Sequence, residues 1–236
     1  MIALQNLKID YSHSKISFYW IPLSFIILYT AKLQIFSNSY QFINYPIYLY
    51  IGLVLWYFIY ASITKSTGLF LNNNLLLNIK VNPLSLLSIA YVNNIYRLIL
   101  NLFLIFPLYF IYEFNFNFLF FIAALFINLI VIYNFAKLAC AISIIFNDFH
   151  NIMTTLFGLL FFLSPIFWHP SILTNEKKFI IEYNPIFYLI EIARDAAMNS
   201  EFYENGFKIC LILICILILL NSFVSDKIIS NVSKSI

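Results

Sequence analysis

Long apolar stretches constrain the fold of this chain more than any other feature of its sequence. A helix of about 20 apolar residues crosses the roughly 30 Å of hydrocarbon in a bilayer. Of the 236 residues, 63% are hydrophobic and only 10% are charged, which is too little charge to cover the surface of a water-soluble domain. The sequence therefore predicts an all-α integral membrane protein, built as one domain over residues 1–236. Six transmembrane helices are predicted, at residues 18–36, 45–63, 87–112, 118–146, 152–168 and 207–224.

The basic residues predict how these spans are oriented. With the amino terminus in the cytoplasm, seven bases fall on that side and four fall outside, as the positive-inside rule requires. We therefore expect a multi-pass protein of the cytoplasmic membrane with both termini inside, so that residues 1–17 and 225–236 are cytoplasmic and residues 169–206 are external. Two further bases, Lys32 and Arg97, fall within spans. Arg97 must either pair with another group inside the bundle or lie nearer the membrane surface than its place in the predicted span suggests.

The sequence lacks the signatures of enzymes, metal sites and nucleic-acid binding. Its basic residues form no run or stripe, which excludes nucleic acid as a partner. Neither a GxxxxGK[ST] phosphate-binding loop nor an HExxH zinc motif occurs, and the three histidines are scattered. The three cysteines lie inside apolar stretches without the paired spacing of a zinc site. We therefore expect no catalytic residue, no metal and no cofactor on this chain.

A short polar turn, IIFNDFHNIM at residues 144–153, joins the fourth span to the fifth. Asn147 or Asp148 can accept a hydrogen bond from the free N–H groups of the next turn, so that a new helix begins at the membrane surface. Such a turn is rigid and exposed to the cytoplasm. An ordinary tight connection between two helices has the same spacing and is the simpler interpretation of the spacing alone.

The end of the fifth span, FFLSPIFWHPSIL at residues 161–173, predicts a broken helix. Pro165 removes a backbone donor and collides with the preceding turn, so the helix is expected to end near Ser164. The Ser164 hydroxyl can bond the carbonyl groups that the break frees. Trp168 and His169 are then expected at the external membrane interface, where amphipathic rings are stable.

A second helix is predicted directly after the break, in YNPIFYLIEIARDAAM at residues 183–198. Asn184 is a good N-cap and Pro185 a good first helical residue. The apolar stripe of this helix is Ile186, Leu189, Ile190 and Ala193, and its more polar flank is Glu191, Arg194 and Asp195. The sequence thus predicts short re-entrant or interfacial helices between the fifth and sixth spans. A loop with an interfacial anchor is the alternative.

Aromatic residues make up 20% of the chain. Their faces can stack on sugar rings in a conduit, and tyrosine hydroxyls can share hydrogen bonds with sugar hydroxyls. For most of them, a position against lipid or in an interfacial belt is the simpler interpretation.

Several stretches match the pattern of one known family. Residues 11–23, YSHSKISFYWIPL, carry Tyr11, Ser14, Trp20 and Pro22 in the order of the family's amino-terminal segment. Residues 75–88, LLLNIKVNPLSLLS, carry Lys80 and Pro83 near its basic and proline positions ahead of the third span.

Two further stretches extend the match. The turn at Phe146, Asn147 and Asp148 is similar to the family's Phe-Arg-Asp turn, with asparagine in place of arginine. The most specific match is FFLSPIFWHPSIL followed by NPIFYLIEIARDAAM. By these residues the chain resembles the permease subunit of type-2 ABC exporters, in particular those that export lipid-linked polysaccharides such as O-antigen, capsule or teichoic acid.

The resemblance implies partners and roles. Two copies of the permease would form the conduit between them, and each would dock on a separate ABC ATP-binding subunit that holds ATP and Mg²⁺. The cargo would be a lipid-linked glycan in contact with membrane lipid. Residues implied to contact the ATPase are Tyr11, Ser14, Asn147, Asp148 and His150. Residues implied to shape the external exit are Ser164, Pro165, Trp168, Asn184, Pro185, Glu191 and Arg194.

Three other functions remain open from the residues. An exporter of a drug or another lipid would share the same spans. An ion-coupled secondary transporter is disfavoured because no span centre holds a carboxylate. A membrane-embedded enzyme would need clustered acidic, histidine or arginine residues at one interface, and Asp148 with His150 is too small a cluster.

Overall fold

The computed structural model describes residues 19–36, 44–69, 83–112, 116–146, 148–198 and 203–225. All regular structure in these ranges is helical. The α-helices are α1 (Trp20–Phe36), α2 (Tyr45–Gly68), α3 (Pro83–Leu102), α4 (Ile105–Tyr112), α5 (Phe118–Ile145), α6 (Phe149–Leu163), α7 (Phe179–Glu182), α8 (Pro185–Met198) and α9 (Glu204–Leu220). Two 3-10 turns, Pro170–Ile172 and Asn175–Lys177, precede α7, and a π-helical turn, Asn221–Ser225, extends α9.

The predicted class, an all-α integral membrane protein, is confirmed. Among the described residues, four helical stretches are long and apolar enough to cross a membrane, and they correspond to predicted spans two, three, four and six. These stretches are Tyr45–Gly68, Leu84–Tyr112, Phe118–Ile145 and Glu204–Val224. Predicted spans one and five are shorter apolar helices, α1 with 17 residues and α6 with 15.

The third predicted span, residues 87–112, is not one uninterrupted helix. It divides at Phe103 and Leu104 into α3 and α4. The physical reason is Pro107, because its ring collides with the carbonyl group four residues earlier, that of Phe103. The helix consequently turns before Ile105 and resumes as α4.

Helix α2 is the core of the bundle. It packs against α1, α3, α5, α6 and α8, and its residues from Ile47 to Leu55 are all buried. A helix that is apolar on every side is buried on every side, and the sequence of α2, YPIYLYIGLVLWYFIY over residues 45–60, is of this kind. The other elements are therefore positioned relative to α2.

Helix α8 lies among the spans. It packs against α2, α5 and α9, and its predicted apolar stripe of Ile186, Leu189, Ile190 and Ala193 is buried. The side chain of Asn128 on α5 donates a hydrogen bond of 2.9 Å to the Leu189 carbonyl. These contacts support a re-entrant helix over the alternative of a loop with an interfacial anchor.

The predicted start of α8 is also confirmed. Its first residue is Pro185, and the side-chain oxygen of Asn184 accepts a 3.0 Å hydrogen bond from the backbone N–H of Ile186. Asn184 thus satisfies a donor that a helix start leaves without a partner in the helix.

Candidate functional site

The predicted break in the fifth span is present, and it leaves a row of carbonyl groups without helical hydrogen bonds. Helix α6 ends at Leu163, and Ser164 to Trp168 are not helical. With 15 residues, α6 is about 22 Å long, which is shorter than the hydrocarbon layer. Inside a membrane, the carbonyl groups of such a segment need hydrogen-bond donors from the protein itself.

Two tyrosines at the start of α2 supply donors to this segment. The Tyr48 hydroxyl lies 2.9 Å from both the Pro165 and the Trp168 carbonyl oxygens. The Tyr45 hydroxyl donates to the Phe167 carbonyl, also at 2.9 Å. The beginning of α2 therefore follows the broken segment closely.

Arg194 supplies the remaining donors from α8. Its Nη1 donates to the Pro165 carbonyl at 2.6 Å and its Nη2 to the Ile166 carbonyl at 3.0 Å. Its Nε donates to the Tyr48 carbonyl at 3.2 Å. With the two tyrosines, Arg194 thus bonds all four successive carbonyl groups from Pro165 to Trp168.

Arg194 was expected on the polar flank of α8, but its side chain is buried. Only 2% of its side chain is exposed, and its guanidinium carbon lies 3.5 Å from the centre of the Tyr48 ring. Glu191, one turn earlier and on the same side, lies 3.3 Å from Nη1 and is 18% exposed. The carboxylate and the aromatic face offset part of the cost of burying the cation.

Gly52 makes room for this guanidinium. A Cβ atom added at Gly52 would overlap Nη2 of Arg194 and lie 3.0 Å from the Ile166 carbonyl oxygen. Only glycine therefore fits at this position of α2. A lone glycine inside an aromatic helix is a sequence signal of close approach, and it was the available clue to the contact.

The other predicted residues at the break lie close to it with altered roles. The Ser164 hydroxyl accepts a 2.9 Å hydrogen bond from the Asn184 amide, rather than bonding the freed carbonyl groups. Trp168 is buried, with 7% exposure, and its indole N–H donates to the Phe162 carbonyl at 3.0 Å, so its ring packs within the protein; its place at the external interface stays a prediction. Burial, and secondly the charge of Arg194, lower the pKa of His169, and the His169 Nδ1 accepts from the Ser171 backbone N–H.

The cytoplasmic turn is only partly described. Tyr11, Ser14 and Asn147 lie outside the described residues. Asp148 is exposed and takes the N-cap position of α6, but among the described residues its carboxylate makes no capping hydrogen bond. Of the two predicted caps, Asn147 or Asp148, only Asn147 stays a prediction. His150 Nδ1 shares a 2.9 Å hydrogen bond with the hydroxyl of Thr67 near the end of α2, which connects this turn to the core helix.

A groove of about 320 Å³ between α1, α2 and α6 was missed from the sequence. The ammonium of Lys32 on α1 lies 4.4 Å from the centre of the Phe161 ring and 5.7 Å from that of Tyr57. A cation on ring faces is stabilised in this way without a carboxylate. The groove is lined by Lys32, Trp56, Tyr57, Tyr60, Thr154, Phe157, Gly158, Phe161 and Phe162.

Comparison with known proteins gives a consistent result. Residues 5–198 match the family described as ABC-2 type transporter. The chain is also 22% identical over 210 residues to the O-antigen export system permease protein RfbA of Klebsiella pneumoniae. That match covers 85% of this chain and 80% of the relative. The family match contains the groove, the broken segment and α8.

We expect Gly52→Ala to destabilise the protein through Arg194. The added methyl group displaces the guanidinium, and overpacking of this kind costs about 1–3 kcal/mol. Arg194→Lys keeps the charge but loses the fork that reaches several carbonyl groups. In a double-mutant cycle, the combined variant should lose no more stability than the worse single variant, because both changes break the same contacts.

Thermal unfolding of the purified protein in detergent measures these effects. Gly158→Ala is the matched control, because a Cβ atom there meets nothing within 4 Å, and its Tm should stay constant or rise slightly. An unchanged Tm for Gly52→Ala, or strictly additive losses, would contradict the coupling between Gly52 and Arg194.

Proposed function

The chain belongs to the ABC-2 type transporter family, and we propose that it is the permease subunit of an ATP-driven exporter that moves a lipid-linked polysaccharide across the cytoplasmic membrane. A member of this family is a transmembrane permease component and not an ATPase. The proposal adds to this the cargo, the source of energy and the partner copies.

The aromatic groove is the observation that carries the choice of cargo. Tyr57 and Phe161 present ring faces to the Lys32 ammonium, and Trp56 and Phe157 also line the groove. Rings of this kind stack on the apolar faces of sugars, while the ammonium group and the tyrosine hydroxyls bond sugar hydroxyls or acidic substituents. The O-antigen export permease of Klebsiella pneumoniae, similar over most of both chains, supports the same cargo class.

A second copy of the chain would complete the conduit. The groove of one copy is an open depression bounded by α1, α2 and α6, and two such grooves facing each other enclose a path for a polymer. Oligomers of this kind are most often twofold symmetric. In this arrangement the broken segment and α8 shape the external exit, with Ser164, Pro165, Trp168, Asn184, Pro185, Glu191 and Arg194 around it.

The separate ABC ATP-binding subunit would act from the cytoplasmic side. Asp148 is exposed there at the start of α6, and His150 connects the same turn to α2. A push on this turn would reach two walls of the groove directly, because α2 and α6 both line it. Tyr11, Ser14 and Asn147 are the further proposed contacts, and ATP and Mg²⁺ would be bound by the partner.

Export is tested in cells in which the gene for this chain is deleted. The lipid-linked glycan should accumulate on the cytoplasmic face, and wild-type protein should restore export only with an ATP-binding subunit that hydrolyses ATP. Phe161→Ala should reduce export several-fold, since stacking on an aromatic side chain is lost. Phe110→Ala is the control, because Phe110 is 79% exposed and lies outside the groove.

Surface glycan, normalised to the amount of permease in the membrane, is the measurement. Export that continues with an ATP-binding subunit unable to hydrolyse ATP would overturn the proposed energy source. Equal export by Phe161→Ala and Phe110→Ala would remove the groove from the transport path.

Docking of the ATP-binding subunit is tested separately. Asp148→Ala should weaken its copurification with the permease, because an exposed carboxylate at the contact is lost, while membrane insertion stays normal. Glu176→Ala removes an exposed carboxylate from the other end of the bundle and should leave copurification unchanged. If both variants retain the ATP-binding subunit equally, Asp148 has no docking role.

A further inference from the structure

A cavity of about 230 Å³ lies between α1, α2 and α3. Three polar residues of α3 line it, Asn94, Arg97 and Asn101. Their spacing of three and four residues places them on one face of the helix. Tyr57 and Tyr60 line both this cavity and the aromatic groove, so the two spaces adjoin at these tyrosines.

Two amide oxygens in this cavity lack hydrogen-bond donors. Asn94 is 2% exposed and Asn101 is 8% exposed. Within the described part of the chain, the Oδ1 atoms of both residues have no hydrogen-bond partner. The amide nitrogen of Asn94 reaches only the Ser62 hydroxyl, at 3.5 Å. Both oxygens are therefore buried acceptors that receive no donor from the described part of the protein.

Because the cavity lies deep in the membrane, leaving these two acceptors without hydrogen bonds destabilises the protein. Arg97 lies near the middle of the span Leu84–Tyr112, where hydrocarbon surrounds the bundle. A buried polar group without a hydrogen-bond partner destabilises the folded protein. Three polar side chains on one face of α3 share this buried space, which indicates a ligand with donors and acceptors of its own.

We propose that this cavity binds the hydroxyl-bearing head group of a neutral glycolipid. Each hydroxyl both donates and accepts, so one sugar can donate to Asn94 and Asn101 and accept from the Arg97 guanidinium. The cavity is several times larger than the roughly 30 Å³ share of one water, and the Tyr57 ring at its edge offers an apolar face to a sugar. The choice of a sugar over other polyhydroxyl groups rests on the proposed glycan export.

The test uses the full chain in lipid nanodiscs, without the ATP-binding subunit. The probe is a glucosyl-diacylglycerol with a photoreactive diazirine on the sugar, and crosslinked residues are mapped by mass spectrometry. We expect labelling of the α3 peptide that contains residues 94–101, competed by unlabelled glucosyl-diacylglycerol but not by diacylglycerol. Asn94→Leu and Asn101→Leu should each reduce this labelling by roughly tenfold, since the loss of one hydrogen bond to a ligand hydroxyl weakens binding by up to about this factor.

A matched control lies on the same helix. Asn93 is also buried and its Oδ1 also lacks a partner among the described residues, but it does not line the cavity. Asn93→Leu should leave labelling unchanged. Ala61→Leu fills the cavity without removing a polar group and should reduce labelling as the asparagine variants do.

Folding is controlled by thermal unfolding in the absence of glycolipid. Asn94→Leu should not lower the Tm, because an apolar side chain replaces a buried amide whose oxygen has no partner. Three results would each overturn the site. Diacylglycerol could compete as well as the glycolipid, or all variants could be labelled equally. Labelling could also resist competition altogether, as expected if the cavity holds only water. This assay measures binding without ATP, so it is independent of the export assay. If labelling fails while export in cells is intact, the cavity site is wrong and the proposed function still stands.

Discussion

The structure depends on one buried cation, the guanidinium of Arg194. A helix that stops inside a membrane leaves carbonyl groups that neither water nor the helix can satisfy. Here the four carbonyl groups from Pro165 to Trp168 receive hydrogen bonds from Arg194, Tyr45 and Tyr48. A hydrogen bond to a charged group contributes about 1.5–3 kcal/mol. Each hydrogen bond from the guanidinium to this segment is therefore stronger than one from a tyrosine hydroxyl. Gly52 and Glu191 complete the arrangement, one by leaving space and the other by supplying a carboxylate.

This arrangement joins three parts of the bundle at one point. The broken segment follows α6, Arg194 belongs to α8, and Tyr48 and Gly52 belong to the core helix α2. At the other end, His150 and Thr67 connect the start of α6 to the end of α2. Helices α2 and α6 are therefore coupled at both ends, with the aromatic groove between them. In the proposed exporter, a push by an ATP-binding subunit at the start of α6 acts on the groove and on the broken segment together.

The sequence predicted the architecture well because hydrophobicity and proline act locally. Apolar length located the spans, Pro165 located the break, and Asn184 with Pro185 located the start of α8. The roles of individual side chains were harder to predict. Arg194 was placed on a polar flank because helical periodicity cannot show that carbonyl groups from a distant segment would surround it. The bond of the Trp168 indole to the Phe162 carbonyl was missed for the same reason, since it depends on how the broken segment folds back. The groove required three helices to be in place before Lys32, Trp56 and Phe161 came together.

Hydrogen–deuterium exchange of the purified protein in nanodiscs tests the central claim, that Arg194 holds the broken segment in place. The backbone amides of residues 166–169 are compared between the wild-type protein and Arg194→Leu, with α5 peptides as an internal reference. The account predicts exchange faster by about tenfold or more in the variant at residues 166–169 and unchanged exchange in α5, as for a local opening. Equal exchange of residues 166–169 in both proteins would contradict it, because the segment would then be held by other contacts.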